Sequence, residues 1–164
     1  MARTASTWDS FKDTLLRVLN ILNPKTVFEY GPGVSTMMIA SHPGVEIVDS
    51  VEHDPAWYEK YKWTMLDNVR ITLQPILSVY PETEGRSDKY DLIFVDGRER
   101  EKCLFVARGR LNAGGAIMLH DAERPSYQDM INSFKYKFWT DDGHTVTLTD
   151  NDMTAAMLEG IYGS

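Results

Sequence analysis

Apolar residues along the chain change their spacing several times, and each change marks an element. Trp8, Phe11, Leu15, Val18, Leu19 and Leu22 recur at steps of three and four, the period of an amphipathic helix. This predicts an N-terminal helix within residues 1–24, closed by Asn23-Pro24. Thr26 to Tyr30 is then a short apolar run that stops at a glycine turn, and Ser35 to Ser41 is apolar and long enough for a buried helix. The same order repeats. Glu46 to Val51 reads as a strand, Pro55 to Asp67 as a helix with Asp54 as its N-cap and Pro55 in its first turn, and Val69 to Leu73 as a third strand. Gln74 to Lys89 is polar and contains two prolines and a glycine, which predicts a loop with one short helix. Tyr90 to Val95 is nearly continuous in apolar character, as a strand buried on both faces should be. A helix over Arg98 to Arg110, a strand over Gly114 to Leu119 and a helix over Tyr127 to Trp139 follow. Thr145 to Thr149 and Thr154 to Leu158 are β-prone runs on either side of Asp150-Asn151-Asp152, which predicts a closing hairpin over 145–159.

Five strands that alternate with helices require crossover connections, so the sheet should be parallel with helices on both faces. The expected fold is α/β, a three-layer αβα doubly wound, mostly parallel sheet with an antiparallel C-terminal hairpin. Ligands on such sheets bind at the carboxyl ends of the strands, where the strand order reverses. No repeat, low-complexity tract or linker interrupts the 164 residues, so one domain over 1–164 is expected, and 43% hydrophobic residues suffice for its core.

Charge narrows the partners. A formal charge of -7 and a pI near 5.0 argue against a broad basic surface for nucleic acid or anionic lipid. The single cysteine, Cys103, excludes an intramolecular disulfide and a cysteine zinc cluster, which fits a reducing compartment. The first residues, MARTASTWDSFKD, lack the apolar core of a signal peptide, and no run is long enough to span a membrane. A cytoplasmic protein is expected.

The chemistry should sit at the strand ends. Thr26 to Tyr30 leads into Gly31-Pro32-Gly33, where glycine permits positive φ and close backbone approach. On its own this fits a plain strand-to-helix turn as well as a ligand loop. Ser35 and Thr36 stand where a dinucleotide fingerprint would place its third glycine, which weakens a nicotinamide-cofactor reading. About 20 residues on, Glu52, next to His53, follows the second strand and is placed to accept hydrogen bonds from ribose hydroxyls. Asp96 and Asp121 end the fourth and fifth strands at the same edge. His120 offers a general base, since imidazole can take a proton near neutral pH, or is simply hydrogen-bonded at the sheet edge. Arg98, Arg100 and Arg124 flank that edge and either bind an acceptor's carboxylate or phosphate or pair with Glu99, Glu101 and Glu123. Cys103 lies mid-helix among apolar residues, which favours burial over nucleophilic chemistry. The aromatics Trp57, Tyr58, Tyr61 and Trp63 read mostly as packing, with Trp57 or Tyr58 within reach of an adenine.

The runs VFEYGPGVST, VDSVEHDPAWY, YDLIFVDGRER and LNAGGAIMLHDAERPSY together resemble the successive motifs of the class I, Rossmann-like S-adenosylmethionine-dependent methyltransferases. The resemblance covers Thr26 to the closing hairpin. It implies that Glu29, Gly31 and Gly33, with Ser35 and Thr36, hold the amino acid end of S-adenosylmethionine, that Glu52 and His53 meet the ribose, and that Asp96 lies under the sulfonium. His120, Asp121 and Arg98 fall on the acceptor side as the catalytic candidates. The carboxylate expected after the third strand to read adenine is missing from Leu73-Gln74-Pro75-Ile76-Leu77, and the Pro-Pro-Tyr signature of base methylases is missing after Asp96. Catechol-type relatives hold Mg²⁺ between such aspartates and an Asp-Asn pair, but here the pair is Asp121-Ala122, so no metal is expected. The implied function is methyl transfer to an oxygen or nitrogen of a small-molecule acceptor. With only the N-terminal helix and the Gln74 to Lys89 loop as a lid, the site is either open to a large acceptor or completed by a second subunit, and a homodimer is the expectation. Aminopropyl transfer, sulfonium cleavage and a non-catalytic S-adenosylmethionine-binding module are the alternatives on the same fold.

Overall fold

A computed structural model of the chain describes residues 7–63, 66–76 and 80–162, and side chains from residue 10 onward within them. The first six residues, the side chain of Trp8 and Leu77 lie outside this description. The elements, in chain order, are α1 (Thr7–Leu22), β1 (Thr26–Tyr30), α2 (Val34–Ala40), β2 (Ile47–Glu52), α3 (Pro55–Tyr61), β3 (Val69–Leu73), β4 (Tyr90–Val95), α4 (Arg100–Gly109), β5 (Leu111–His120), α5 (Gln128–Asn132), β6 (Tyr136–Trp139), β7 (Thr145–Thr149) and α6 (Asp152–Tyr162). Short 3-10 turns at Tyr80–Glu82 and Pro125–Tyr127 complete them. Among the described residues no helix is long and apolar enough to cross a membrane.

Alternation along the strands builds two cores. Leu92 and Phe94 of β4 pack with Val27, Met118 and the α1 side chains Phe11, Leu15, Val18 and Leu19. Ile93 and Val95 point the other way and pack with Phe28, Ile117, Leu119 and the α4 residues Cys103, Leu104 and Ala107. Both faces of the sheet are therefore covered, with α1, α2 and α6 on one side and α4 and α5 on the other. The four α1 side chains are at most 1% exposed, and each such burial stabilises by about 1.5–3 kcal/mol.

The seven strands are ordered β3-β2-β1-β4-β5-β7-β6. β1 through β5 pair in parallel, and β7 pairs antiparallel with both β5 and β6. The closing hairpin is present, one element earlier than the sequence pattern suggests. Tyr136–Trp139 supplies its other strand, and Thr154 to Leu158 belongs to α6. The cause lies in period and capping. Ala155, Leu158 and Ile161 pack inward at three-residue steps, and Asn151 caps the helix by accepting from the Thr154 amide at 2.9 Å. The residues read as a turn signal are in fact a helix start. The expected helix over Tyr127 to Trp139 stops at Asn132, because Phe138 and Trp139 alternate between the two cores, as strand residues do.

Candidate functional site

Register sets the strand ends level. Tyr30 pairs with Val51 and with Val95, and Val95 pairs with Leu119. The next residue on each strand is Gly31, Glu52, Asp96 and His120, so these form one row along the carboxyl edge. The row crosses the point between β1 and β4 where the strand order reverses.

Gly31 fits there because nothing larger does. Its φ is +91°, and an added Cβ would lie 2.9 Å from the carbonyl oxygen of Asp96 and from Cα of Gly97. The turn is tied down on both sides, with the Gly31 amide donating to Val51 O at 3.0 Å and the Asp96 amide donating to Tyr30 O at 3.0 Å. Across the turn, Trp57 Nε1 donates to Pro32 O at 2.7 Å. The start of α3 that carries Trp57 is fixed by Asp54, whose carboxylate accepts from the Ala56 amide at 2.8 Å, and Pro55 occupies the first turn as expected.

Beneath the turn Glu29 is fully buried. Ser35 Oγ donates to its Oε2 at 2.7 Å, Ser50 Oγ to its Oε1 at 3.1 Å, and Thr36 Oγ1 also to Oε1. Thr36 Oγ1 in turn accepts from the Gly33 amide at 2.9 Å. Burial outweighs the three hydroxyl donors and pushes the Glu29 carboxyl up to about 7. Glu29 and Thr36 thus brace the glycine turn from below and do not line the cleft above it. Ser50 takes part in this bracing, and no sequence pattern singled it out.

Glu52 ends β2 only 4% exposed. Its Oε1 accepts from the amides of His53 and Asp54 at 2.7 and 2.8 Å and meets His53 Nδ1 at 3.0 Å. All of these fall on one oxygen, which leaves Oε2 for a ligand.

On the other side of the reversal point, Arg100 joins the two aspartates. Its NH2 lies 3.3 Å from Asp96 Oδ1 and its NH1 3.3 Å from Asp121 Oδ2, while Nε donates to Gly97 O at 3.0 Å and NH1 also donates to His120 O. Burial raises the Asp96 carboxyl above the usual range, against the lowering influence of Arg100 and His120. His120 is buried against Phe11, with ring centroids 4.8 Å apart, and its Nδ1 meets Thr145 Oγ1 at 3.1 Å. Asp96, His120 and Asp121 bring potential metal-ligand atoms within 4.8 Å of one another, and Arg100 supplies the positive charge bonded to that pair of carboxylates. Cys103 is buried, its thiol pushed up to about 12 by desolvation.

Above this edge lies an open cleft of about 540 Å³. Gly31, Pro32, Gly33, Ser35, Glu52, His53 and Trp57 form one half of its wall, and Asp96, Arg98, Arg100, Arg124 and Tyr127 form the other. Of the candidates read from sequence, Glu29, Thr36 and His120 lie buried behind this wall, and Asp121, part exposed, does not line it. Trp57 belongs to it, and Tyr58 does not. A larger groove of about 920 Å³ runs outside α4 past Phe105 and Met130, but no strand residue lines it.

The fold has counterparts among solved structures. The chain superposes on the N-methyltransferase NodS from Bradyrhizobium japonicum WM9 with a TM-score of 0.63 and 14% identity, over 88% of this chain and 96% of that one. It superposes on an O-methyltransferase from Bacillus cereus, solved in complex with SAH, with a TM-score of 0.67 and 15% identity, over 91% and 84%.

The chain has the class I methyltransferase fold.

On the same fold, a spermidine synthase from Thermotoga maritima matches with a TM-score of 0.67 and 16% identity, over 90% of this chain and 61% of that one. No family model matches the sequence, and no curated protein matches it. The similarity is one of fold: O- and N-methyltransferases and a spermidine synthase share this architecture.

Proposed function

We propose that the chain is an S-adenosylmethionine-dependent methyltransferase acting on an oxygen or nitrogen of a small-molecule acceptor. The observation that carries this reading is the half of the cleft built by the glycine turn and Glu52, at the reversal point of the sheet. Gly33 lines that half, and a Cβ added there would meet no protein atom within 4 Å. The backbone is thus bare where a ligand would approach. Glu52 keeps one carboxylate oxygen for the ribose hydroxyls, and Trp57 and His53 stand beside it for the nucleoside. These residues fit an adenosine-type ligand.

S-adenosylmethionine supplies a methyl group already activated for transfer. What remains for the protein is to align the acceptor and to take its proton, and holding two reactants in line supplies much of such an acceleration. Asp96 stands at the junction of the two halves, and burial raises its carboxyl above the usual range, the direction that makes a carboxylate a better proton acceptor. Arg98 faces the acceptor side. Asp121 and His120 are positioning residues that hold Arg100, and through it Asp96.

Calorimetric titration with S-adenosylmethionine tests the reading. The wild-type chain should bind. Gly33→Arg should abolish binding, because the side chain fills the bare wall. Glu52→Gln should weaken it about tenfold, since a hydroxyl bond to a charged acceptor is roughly twice as strong as one to a neutral acceptor. Equal affinity in all three would sink the assignment. Product analysis then separates the chemistries: S-adenosylhomocysteine marks methyl transfer, and methylthioadenosine marks either aminopropyl transfer from a decarboxylated cofactor or cleavage of the sulfonium.

A further inference from the structure

Six of the eight arginines among the described residues have a partner. Arg17, Arg70, Arg86, Arg100 and Arg108 meet carboxylates, and Arg110 lies over the rings of Phe28 and Tyr90. Arg98 and Arg124 are different. Both are exposed, both line the cleft, and neither side chain makes an ion pair, hydrogen bond or ring contact within the described residues. The acids closest to them in sequence are already engaged: Glu99 holds Lys102 at 2.7 Å, and Glu123 holds His144 at 2.9 Å. Asp96 and Asp121 share Arg100.

In a chain with 24 acidic residues against 17 lysines and arginines, two unpaired guanidinium groups in one cleft wall call for an explanation. Their place in the fold supplies one. Arg124 follows β5, so it stands on the side of Asp96 away from the glycine turn and Glu52, and Arg98 stands two residues beyond Asp96 in the loop that leaves β4. That half of the cleft is left for the acceptor once the nucleoside half is filled.

We propose that the acceptor carries an anionic group, a phosphate or a carboxylate, which Arg98 and Arg124 receive. The guanidinium fork matches the oxygens of either group in pairs, and such charge-assisted bonds fix orientation as well as adding affinity. The carboxylates of Glu99, Glu123, Asp96 and Asp121 are engaged elsewhere, the first by Lys102, the second by His144 and the last two by Arg100. The proposal rests on the methyltransferase reading, since it takes the other half of the cleft as the cofactor's.

The test uses the whole chain in two stages. S-adenosylhomocysteine is titrated first, and failure of the wild type to bind it overturns the underlying reading. The loaded protein is then titrated with inorganic phosphate and, separately, with acetate, at an ionic strength held constant with chloride, and the arginine side-chain NMR signals are followed. Saturable shifts at Arg98 and Arg124 are expected, with affinity at least tenfold weaker in Arg98→Gln/Arg124→Gln and melting temperature and S-adenosylhomocysteine affinity retained. Saturation by phosphate alone assigns a phosphorylated acceptor, and by acetate alone a carboxylate. Saturation by neither, or the same affinity in the double variant, overturns the proposal while leaving the methyltransferase reading intact. As a second measurement, labelled methyl groups should enter a component of a small-molecule extract that an anion-exchange resin retains. A labelled acceptor in the unretained fraction would also overturn it.

Discussion

Replacing Glu29 by glutamine should change how stability depends on pH, and the structure sets the size of the change. Glu29 is fully buried, and burial pushes its carboxyl from 4.5 to about 7 despite three hydroxyl donors. Below pH 4.5 the group is protonated in both the folded and unfolded chain, so its titration costs nothing. Between pH 4.5 and about 7 the unfolded chain gives up this proton while the folded chain keeps it. Stability falls across that window as pH rises, at up to about 1.4 kcal/mol per pH unit, and levels off above it. The total is about 3 kcal/mol. Glutamine has nearly the same shape and does not titrate. Its oxygen can keep the Thr36 and Ser50 donors on one side, and the Ser35 hydroxyl can turn to accept from its amide on the other. Urea unfolding of wild type and Glu29→Gln in steps from pH 4.5 to 8 isolates the effect, because every other group cancels in the difference. The variant should gain about 3 kcal/mol on the wild type across the series. A flat difference would refute the reasoning. A difference of opposite sign would show that the three hydroxyls hold Glu29 as an anion and outweigh its burial.

Other perturbations probe the rest of the edge. Gly31→Ala should destabilise by about 2–4 kcal/mol, from positive φ and contact with the Asp96 backbone, as read by thermal unfolding. Arg100→Gln leaves Asp96 and Asp121 without their shared cation; about 3 kcal/mol of stability should go, and carboxyl NMR should show Asp96 titrating at still higher pH. Asp49 accepts from the Arg86 amide at 2.6 Å, from Arg86 Nε at 2.7 Å and from Tyr90 Oη at 2.8 Å. Asp49→Asn presents a donor to one of these donors, so the segment around Arg86 should become cleavable in limited proteolysis, at a cost of about 2 kcal/mol.

Much of this architecture is local in origin and was legible in sequence. The strand Tyr90–Val95 and the helix Thr7–Leu22 announce themselves because burial on two faces or on one stripe leaves a fixed period. Glu52, Asp96 and Asp121 could be placed at one edge because parallel strands share a direction. Period and local signals fail where two elements share them. Asp150-Asn151-Asp152 suits a turn as well as a helix cap, and only the packing of Ala155, Leu158 and Ile161 decides for α6.

The sequence by itself determined the order of strands and helices as far as β5, the glycine turn at the end of β1 and the set of polar residues at the carboxyl edge, since each follows from spacing and backbone freedom within a few residues. Tertiary structure alone decided what those residues do there. Glu29 and Thr36 turn inward to brace the turn, His120 packs against Phe11 from a helix more than 100 positions away in the chain, and Arg100 joins aspartates from two strands. Arg98 and Arg124 stay without side-chain partners among the described residues. Which charges meet depends on strand order and register, and those are fixed only when the two cores close on the sheet.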